Sequence, residues 1–167
     1  MSNSFDRMLE LVNTFFDTRN DPGQISVTDE QREKLMQLHP ATLSELANED
    51  GPIVWVLLIP TNKQIMEQFL NGEISEKQLL DLAQPGESCQ SLYLCSASVL
   101  PEFRKQGLAR KVTIGAINSI RAQYSISTLY FWPFSSEGRA LAQSIADELG
   151  IELLERTAHS RKKALNP

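Results

Sequence analysis

The sequence predicts an α/β fold. Strand and helix patterns alternate regularly through its second half, a continuous apolar run of strand length stands near residue 55, and helical periodicity dominates the first fifty residues. The alternation begins at Ser91–Val99, an apolar strand, and continues with a helix over 107 to about 123 and a strand over Ser127–Phe134. A helix over 136–149, ended by Gly150, and a strand over Ile151–Glu155 complete it. Links this short between strands and helices imply right-handed crossovers and a largely parallel sheet region. The run Ile53–Ile59 (IVWVLLI), following a Gly-Pro turn, reads as a buried central strand.

The remaining elements follow from apolar spacing and end signals. Phe5, Met8, Leu9, Val12, Phe15 and Phe16 recur every three or four residues, a helical stripe over 4–17. Asp21-Pro22-Gly23 is a turn, and Thr28-Asp29-Glu30-Gln31 carries the capping-box pattern ahead of a helix with Leu35, Met36 and Leu38. Pro40 stops that helix and opens another to about Asn48. Residues 62–83 return to helical character in two pieces, divided by Asn71-Gly72 and reopened by Ser75-Glu76-Lys77-Gln78. The basic tail HSRKKALNP is expected to fray. With no repeat and no linker, residues 1–167 read as one domain.

Composition excludes more than it assigns. No stretch approaches the ~20 apolar residues of a membrane span. A formal net charge of −5 argues against a nucleic-acid binder, whose footprint is basic. The N-terminus places charges inside its apolar stretch, unlike a secretory signal, so a cytoplasmic protein is expected. Cys89 and Cys95, in one extended segment, would lie roughly 20 Å apart, beyond disulfide reach, and are expected as buried free thiols. With His39 and His159 the only histidines and no CxxC, no metal site is expected.

The chemistry concentrates between Ser91 and Arg121. An apolar strand ends at Val99, Pro101 breaks it, and a basic loop leads into a helix near Gly107. The first amides of a helix lack intrahelical partners, and its dipole puts positive charge at that end. Gly107 lets a ligand approach the backbone without a Cβ in the way. Arg104, Lys105, Arg110 and Lys111 gather positive charge in an otherwise acidic chain. Together these suit a diphosphate.

In order and spacing this segment resembles the GNAT acetyltransferase superfamily. The hallmark Gln/Arg-x-x-Gly-x-Gly/Ala is matched by Arg104-Lys105-Gln106-Gly107-Leu108-Ala109, after Val-x-Pro at Val99-Leu100-Pro101. Residues 88–156 are covered well by the resemblance and residues 1–60 loosely. It implies a mixed central sheet flanked by helices, with a central strand that binds coenzyme A; the helical N-terminus and a helical insert (62–86) before that strand are read from the residues themselves. It also implies that backbone amides from Lys105 to Arg110 hold the pyrophosphate of acetyl-CoA. The main chain of Ala97, Ser98 and Val99 would pair with the pantetheine arm where neighbouring strands splay apart, and Arg104 and Lys105 would stand near the 3′-phosphate. The reaction implied is transfer of an acyl group from the thioester to an amine, of a small molecule or a peptide.

Two features depart from the family. Many members carry a Tyr acid on the helix after the fifth strand; here that helix reads SEGRALAQSIA, with only Ser144 near the position. Tyr93, Cys95, Ser96 and Tyr130 could face the cleft, and Glu87 and Glu102 are conceivable bases, but strand faces are not set by sequence and no catalytic residue is assigned. The family also has a hairpin strand between the strands at 53–59 and 91–99. Here either a short partner follows Pro85 or helices 62–86 cover the acceptor side. An acetyl-CoA-dependent N-acetyltransferase is the leading expectation, and a catalytically silent CoA-binding sensor or scaffold the alternative. A helix-turn-helix reading of RKQGLARK is opposed by the charge and by the strand before it. Acidic residues such as Glu45, Glu49 and Asp50 would suit a cationic amine, but none is assigned to the acceptor. The apolar N-terminal helices pack either on their own sheet or on a second subunit, leaving a homodimer open.

Overall fold

A computed structural model of the protein describes residues 4–16, 28–85, 88–133 and 135–157. A mixed five-stranded sheet organises these residues, in the order β1 (Leu43–Asn48), β2 (Gly51–Thr61), β3 (Ser91–Val99), β4 (Thr128–Phe131) and β5 (Glu152–Glu155). The pairs β1–β2 and β2–β3 are antiparallel, and β3–β4 and β4–β5 are parallel. Helices α1 (Ser4–Phe16), α2 (Asp29–Leu38), α3 (Lys63–Leu70), α4 (Glu76–Leu82), α5 (Leu108–Arg121) and α6 (Ser136–Leu149) flank it. Among the described residues no helix is long and apolar enough to cross a membrane.

Strand alternation divides the core into two layers. Val54, Val56 and Leu58 of β2 face one side with Leu92 and Leu129, where Met8 of α1, Ile117 and Ile120 of α5 and Ile145 of α6 cover them. Leu57 and Ile59 face the other side with Tyr93 and Tyr130, under Leu35 and Leu38 of α2, Phe69 of α3 and Leu79 and Leu80 of α4. The caps read from sequence hold the helices. Thr28 Oγ1 accepts from the Gln31 amide at 3.2 Å, and Ser75 and Gln78 form a complete capping box. Gly150, at φ +66°, ends α6.

Three sequence expectations are corrected. Residues 40–48 are not a helix: a 3-10 turn at Pro40–Thr42 leads into β1, which pairs with β2 through the two-residue connection Glu49-Asp50. Segment LSELAN has no strong strand signal of its own, and the apolar β2 beside it supplies the partner that decides its conformation. The hairpin partner of β2 therefore precedes it, and β2 pairs directly with β3 across the helical pair α3–α4. The strand expected over Ser127–Phe134 is only Thr128–Phe131, with Pro133 just beyond it unable to donate to a ladder. The Asp21-Pro22-Gly23 turn, Gly86, Glu87, Phe134, His159 and the basic tail lie outside the described residues, as do the side chains of Phe5, Phe15 and Phe16.

Candidate functional site

The site begins where two parallel strands part. β3 pairs with β4 only from Ser91↔Thr128 to Tyr93↔Tyr130, yet continues to Val99. Residues 94–99 thus have no β4 partner, and their backbone edge faces an opening. Against β2 the register shifts between Leu57 and Leu58, so that Cys95 is the extra residue of a bulge between Leu94 and Ser96. Bulges bend a strand and re-aim its side chains.

At the far end of β3 the chain turns through Pro101–Phe103 into the loop before α5. Lys105 has φ +64° and Gly107 φ +73°, two left-handed residues that bracket Gln106. The first ladder bond of α5 runs from the Lys111 amide to the Gly107 carbonyl at 3.0 Å. Among the described residues nothing accepts from the amides of Lys105 to Arg110. A Cβ on Gly107 would meet no atom within 4 Å, so the space over these amides is open. Left-handed turns of this kind point successive N–H groups at one spot, which suits an anion.

A cavity of about 720 Å³ joins the two features. Its walls include the whole of Leu94–Val99, Arg104, Lys105, Gly107, Leu108, Ala109 and Arg110, together with Trp132 and, from α6, Gly138, Leu141 and Ile145. Every coenzyme-binding residue expected from sequence lies there except Gln106, whose exposed side chain does not line it. The basic side chains differ in what they can offer. Arg104 Nε donates to the Val99 carbonyl at 3.1 Å, and Arg110 is held by Ser144 Oγ at 2.9 Å and Glu148 Oε1 at 2.6 Å. The Arg110 guanidinium is therefore already engaged. One wall group missed in the sequence is Thr113: its hydroxyl is buried and has no hydrogen-bond partner among the described residues.

The candidate acid–base residues separate cleanly. Cys95 and Ser96 line the cavity, whereas Tyr93 and Tyr130 are fully buried and do not. Tyr130 shares a 2.7 Å hydrogen bond with Thr61 Oγ1, and burial raises its pKa. Glu102 lies outside the cavity wall, and Arg7 grips it through two hydrogen bonds of 2.7 and 2.6 Å. That grip holds its carboxyl well below the usual range, at about 2, so it takes no proton near neutrality. Ser144 accepts from Arg110 and does not reach the cavity.

Both cysteines are free. Cys89 is buried, while Cys95 is half-buried and its thiol is pushed up to about 12 by burial. Behind Cys95 stands Glu76 of α4, which in the sequence is visible only as part of a capping box. It is 5% exposed, and its oxygens accept from Tyr93 OH at 3.0 Å and Cys95 Sγ at 3.6 Å. Burial raises the Tyr93 pKa well above its ordinary value, so its hydroxyl stays a donor. Arg156, also 5% exposed, places its guanidinium 3.9 Å from the Trp132 ring centroid and 4.5 Å from that of Phe69, and donates to the Ile74 carbonyl at 3.0 Å. No cluster of three or more His, Cys, Asp or Glu suited to a metal occurs among the described residues. No protein-family model and no curated protein matches the chain.

Proposed function

We propose that the protein is an acetyl-CoA-dependent N-acetyltransferase with a GNAT-like arrangement of its sheet, acting on the amine of a small molecule or a peptide. The observation that carries the reading is the continuity of the cavity. One surface runs from partner-free amides around Gly107 along the unpaired edge of β3 to the bulge at Cys95. An anion-binding loop, an open strand edge and a half-buried end succeed one another in the order in which diphosphate, pantetheine arm and thioester occur in acetyl-CoA.

The residues fit such a ligand. The open space at Gly107 admits a diphosphate to the amides of Lys105–Arg110, where the α5 dipole adds to the attraction. The edge from Ala97 to Val99 offers backbone groups to the amides of the arm, as an added strand would. The Thr113 hydroxyl, buried without a partner, gains one from a polar ligand atom. Leu108, Leu141 and Ile145 give the cavity apolar walls. When bound, acetyl-CoA supplies a thioester carbonyl activated for transfer, and a β3 amide near the bulge polarises its oxygen.

Titrating the protein with acetyl-CoA by calorimetry, then following thiol release against butylamine, spermidine and a lysine peptide, tests the reading. Binding with amine-dependent release is expected. Binding without release on any acceptor favours a silent CoA-binding module, a reading motivated by the absence of a tyrosine from the cavity wall. An absence of binding removes both.

A further inference from the structure

An acceptor amine arrives protonated and must lose a proton before its lone pair attacks a carbonyl. From Val99 back to Cys95 is four residues, about 13 Å along a strand. An arm anchored at the Gly107 loop and laid along β3 therefore brings its far end to the bulge. Cys95 lines the cavity at that point, and its thiol meets the Glu76 carboxyl behind it at 3.6 Å. Tyr93 and Cys95 each donate to one of its two oxygens. Arg156 lowers the Tyr93 pKa against the larger effect of burial, and Tyr130 is the further titratable group turned toward Tyr93.

We propose that Glu76, acting through the Cys95 thiol, receives the proton given up by a cationic amine acceptor, so that the helical pair between β2 and β3 serves the reaction and does more than fill space. This rests on the N-acetyltransferase reading. One ammonium proton moves to the Cys95 sulfur as the Cys95 proton moves to Glu76. The freed lone pair then forms the C–N bond while the thioester C–S bond breaks. The departing sulfur takes the second amine proton, leaving an amide and a free thiol, and Glu76 returns its proton to solvent. The high basicity of a buried thiolate suits Cys95 to such a concerted relay. Glu76 is a positioning residue in this scheme, and Cys95 is the group that touches the amine.

The test uses the full chain with Glu76→Gln. Iodoacetamide labelling of Cys95 across pH, resolved from Cys89 by peptide mass, reads the couple without any acceptor. Replacing the carboxyl that accepts from the thiol should move the labelling midpoint by one pH unit or more. Acetyl-CoA affinity by calorimetry should stay within twofold of wild type, while thiol release with spermidine falls at least thirtyfold and loses its acidic limb. Cys95→Ser should retain more release than Cys95→Ala, a comparison that leaves the buried carboxylate in place if Glu76→Gln does not fold. An unmoved labelling midpoint, or release equal to wild type in Glu76→Gln or Cys95→Ala, overturns the proposal. Failure of the wild-type protein to bind acetyl-CoA overturns instead the reading on which it rests.

Discussion

Gly107 and Gly150 form a matched pair from which the anion loop can be tested. Both are left-handed, at φ +73° and +66°, and neither has an atom within 4 Å of a built Cβ. Alanine at either position meets the same penalty, a left-handed backbone costing about 1–2 kcal/mol, partly offset by the lower entropy of the unfolded chain. A net loss near 1 kcal/mol lowers the melting temperature by about 2–4 °C at this chain length. Such a loss is small beside the ~5–15 kcal/mol typical of domains. The two variants part at the ligand. Gly107 lies in the cavity wall under the partner-free amides, whereas Gly150 caps the far end of α6 outside it. Gly107→Ala should therefore weaken acetyl-CoA binding at least tenfold, about 1.4 kcal/mol, with Gly150→Ala unchanged. Calorimetric titration beside thermal melts reads both quantities. Equal affinity in Gly107→Ala and wild type, or an equal affinity loss in Gly150→Ala, would refute the assignment of the loop.

Three further outcomes are expected. Thr113→Val removes a buried hydroxyl that has no partner, whose burial costs about 1–3 kcal/mol; the free protein should melt higher while acetyl-CoA affinity drops, and a lower melting temperature would contradict the assigned environment. Phe69→Ala deletes a side chain with no solvent exposure that packs edge-on to Tyr93 at 4.7 Å, so urea unfolding should show a loss of about 3–5 kcal/mol; a loss below about 1 kcal/mol would contradict its place in the core. The folded-state pKa of Glu102 is depressed to about 2 from an ordinary 4.5, chiefly by the hydrogen bond from Arg7. Its stabilising contribution is thus complete above the ordinary value and vanishes as pH falls from about 4.5 to about 2. Glu102→Gln should flatten that part of the melting curve against pH, modestly because the pair is exposed to salt.

Features written by a local signal are legible in the sequence. The α6 boundaries, the Ser75 capping box and the βαβ alternation after residue 91 are all readable, because periodicity, caps and Gly150 act within a few residues. Segment LSELAN is not, because its strand conformation comes from a partner across a two-residue connection rather than from its own preferences. The anion loop is readable through Gly107, but the engagement of Arg110 is not, since Ser144 and Glu148 lie 34 and 38 residues away. Glu76 is the clearest loss. In sequence it is an acidic residue in the first turn of a capped helix, a position that explains itself electrostatically. Only the packing of α4 on the face of β3 that carries Tyr93 turns it toward Cys95. Likewise the alternation of β3 decides that Tyr93 points away from the cavity, and a single bulge residue resets the alternation beyond it.

The bond from Arg156 to the Ile74 carbonyl spans 82 residues, which bears on the order in which the chain assembles. Closing so long a loop carries an entropy cost that grows as the logarithm of its length. The anchor for the α3–α4 connection is made more than eighty residues after that connection leaves the ribosome. Until then, Phe69 and Trp132 lack the cation that packs against both rings. The contacts of the α3–α4 connection are thus completed late in synthesis, whereas the loop at Gly107 is built from residues near one another in the chain. A nascent chain halted before Arg156 should hold the loop at Gly107 before the α3–α4 connection is tied down.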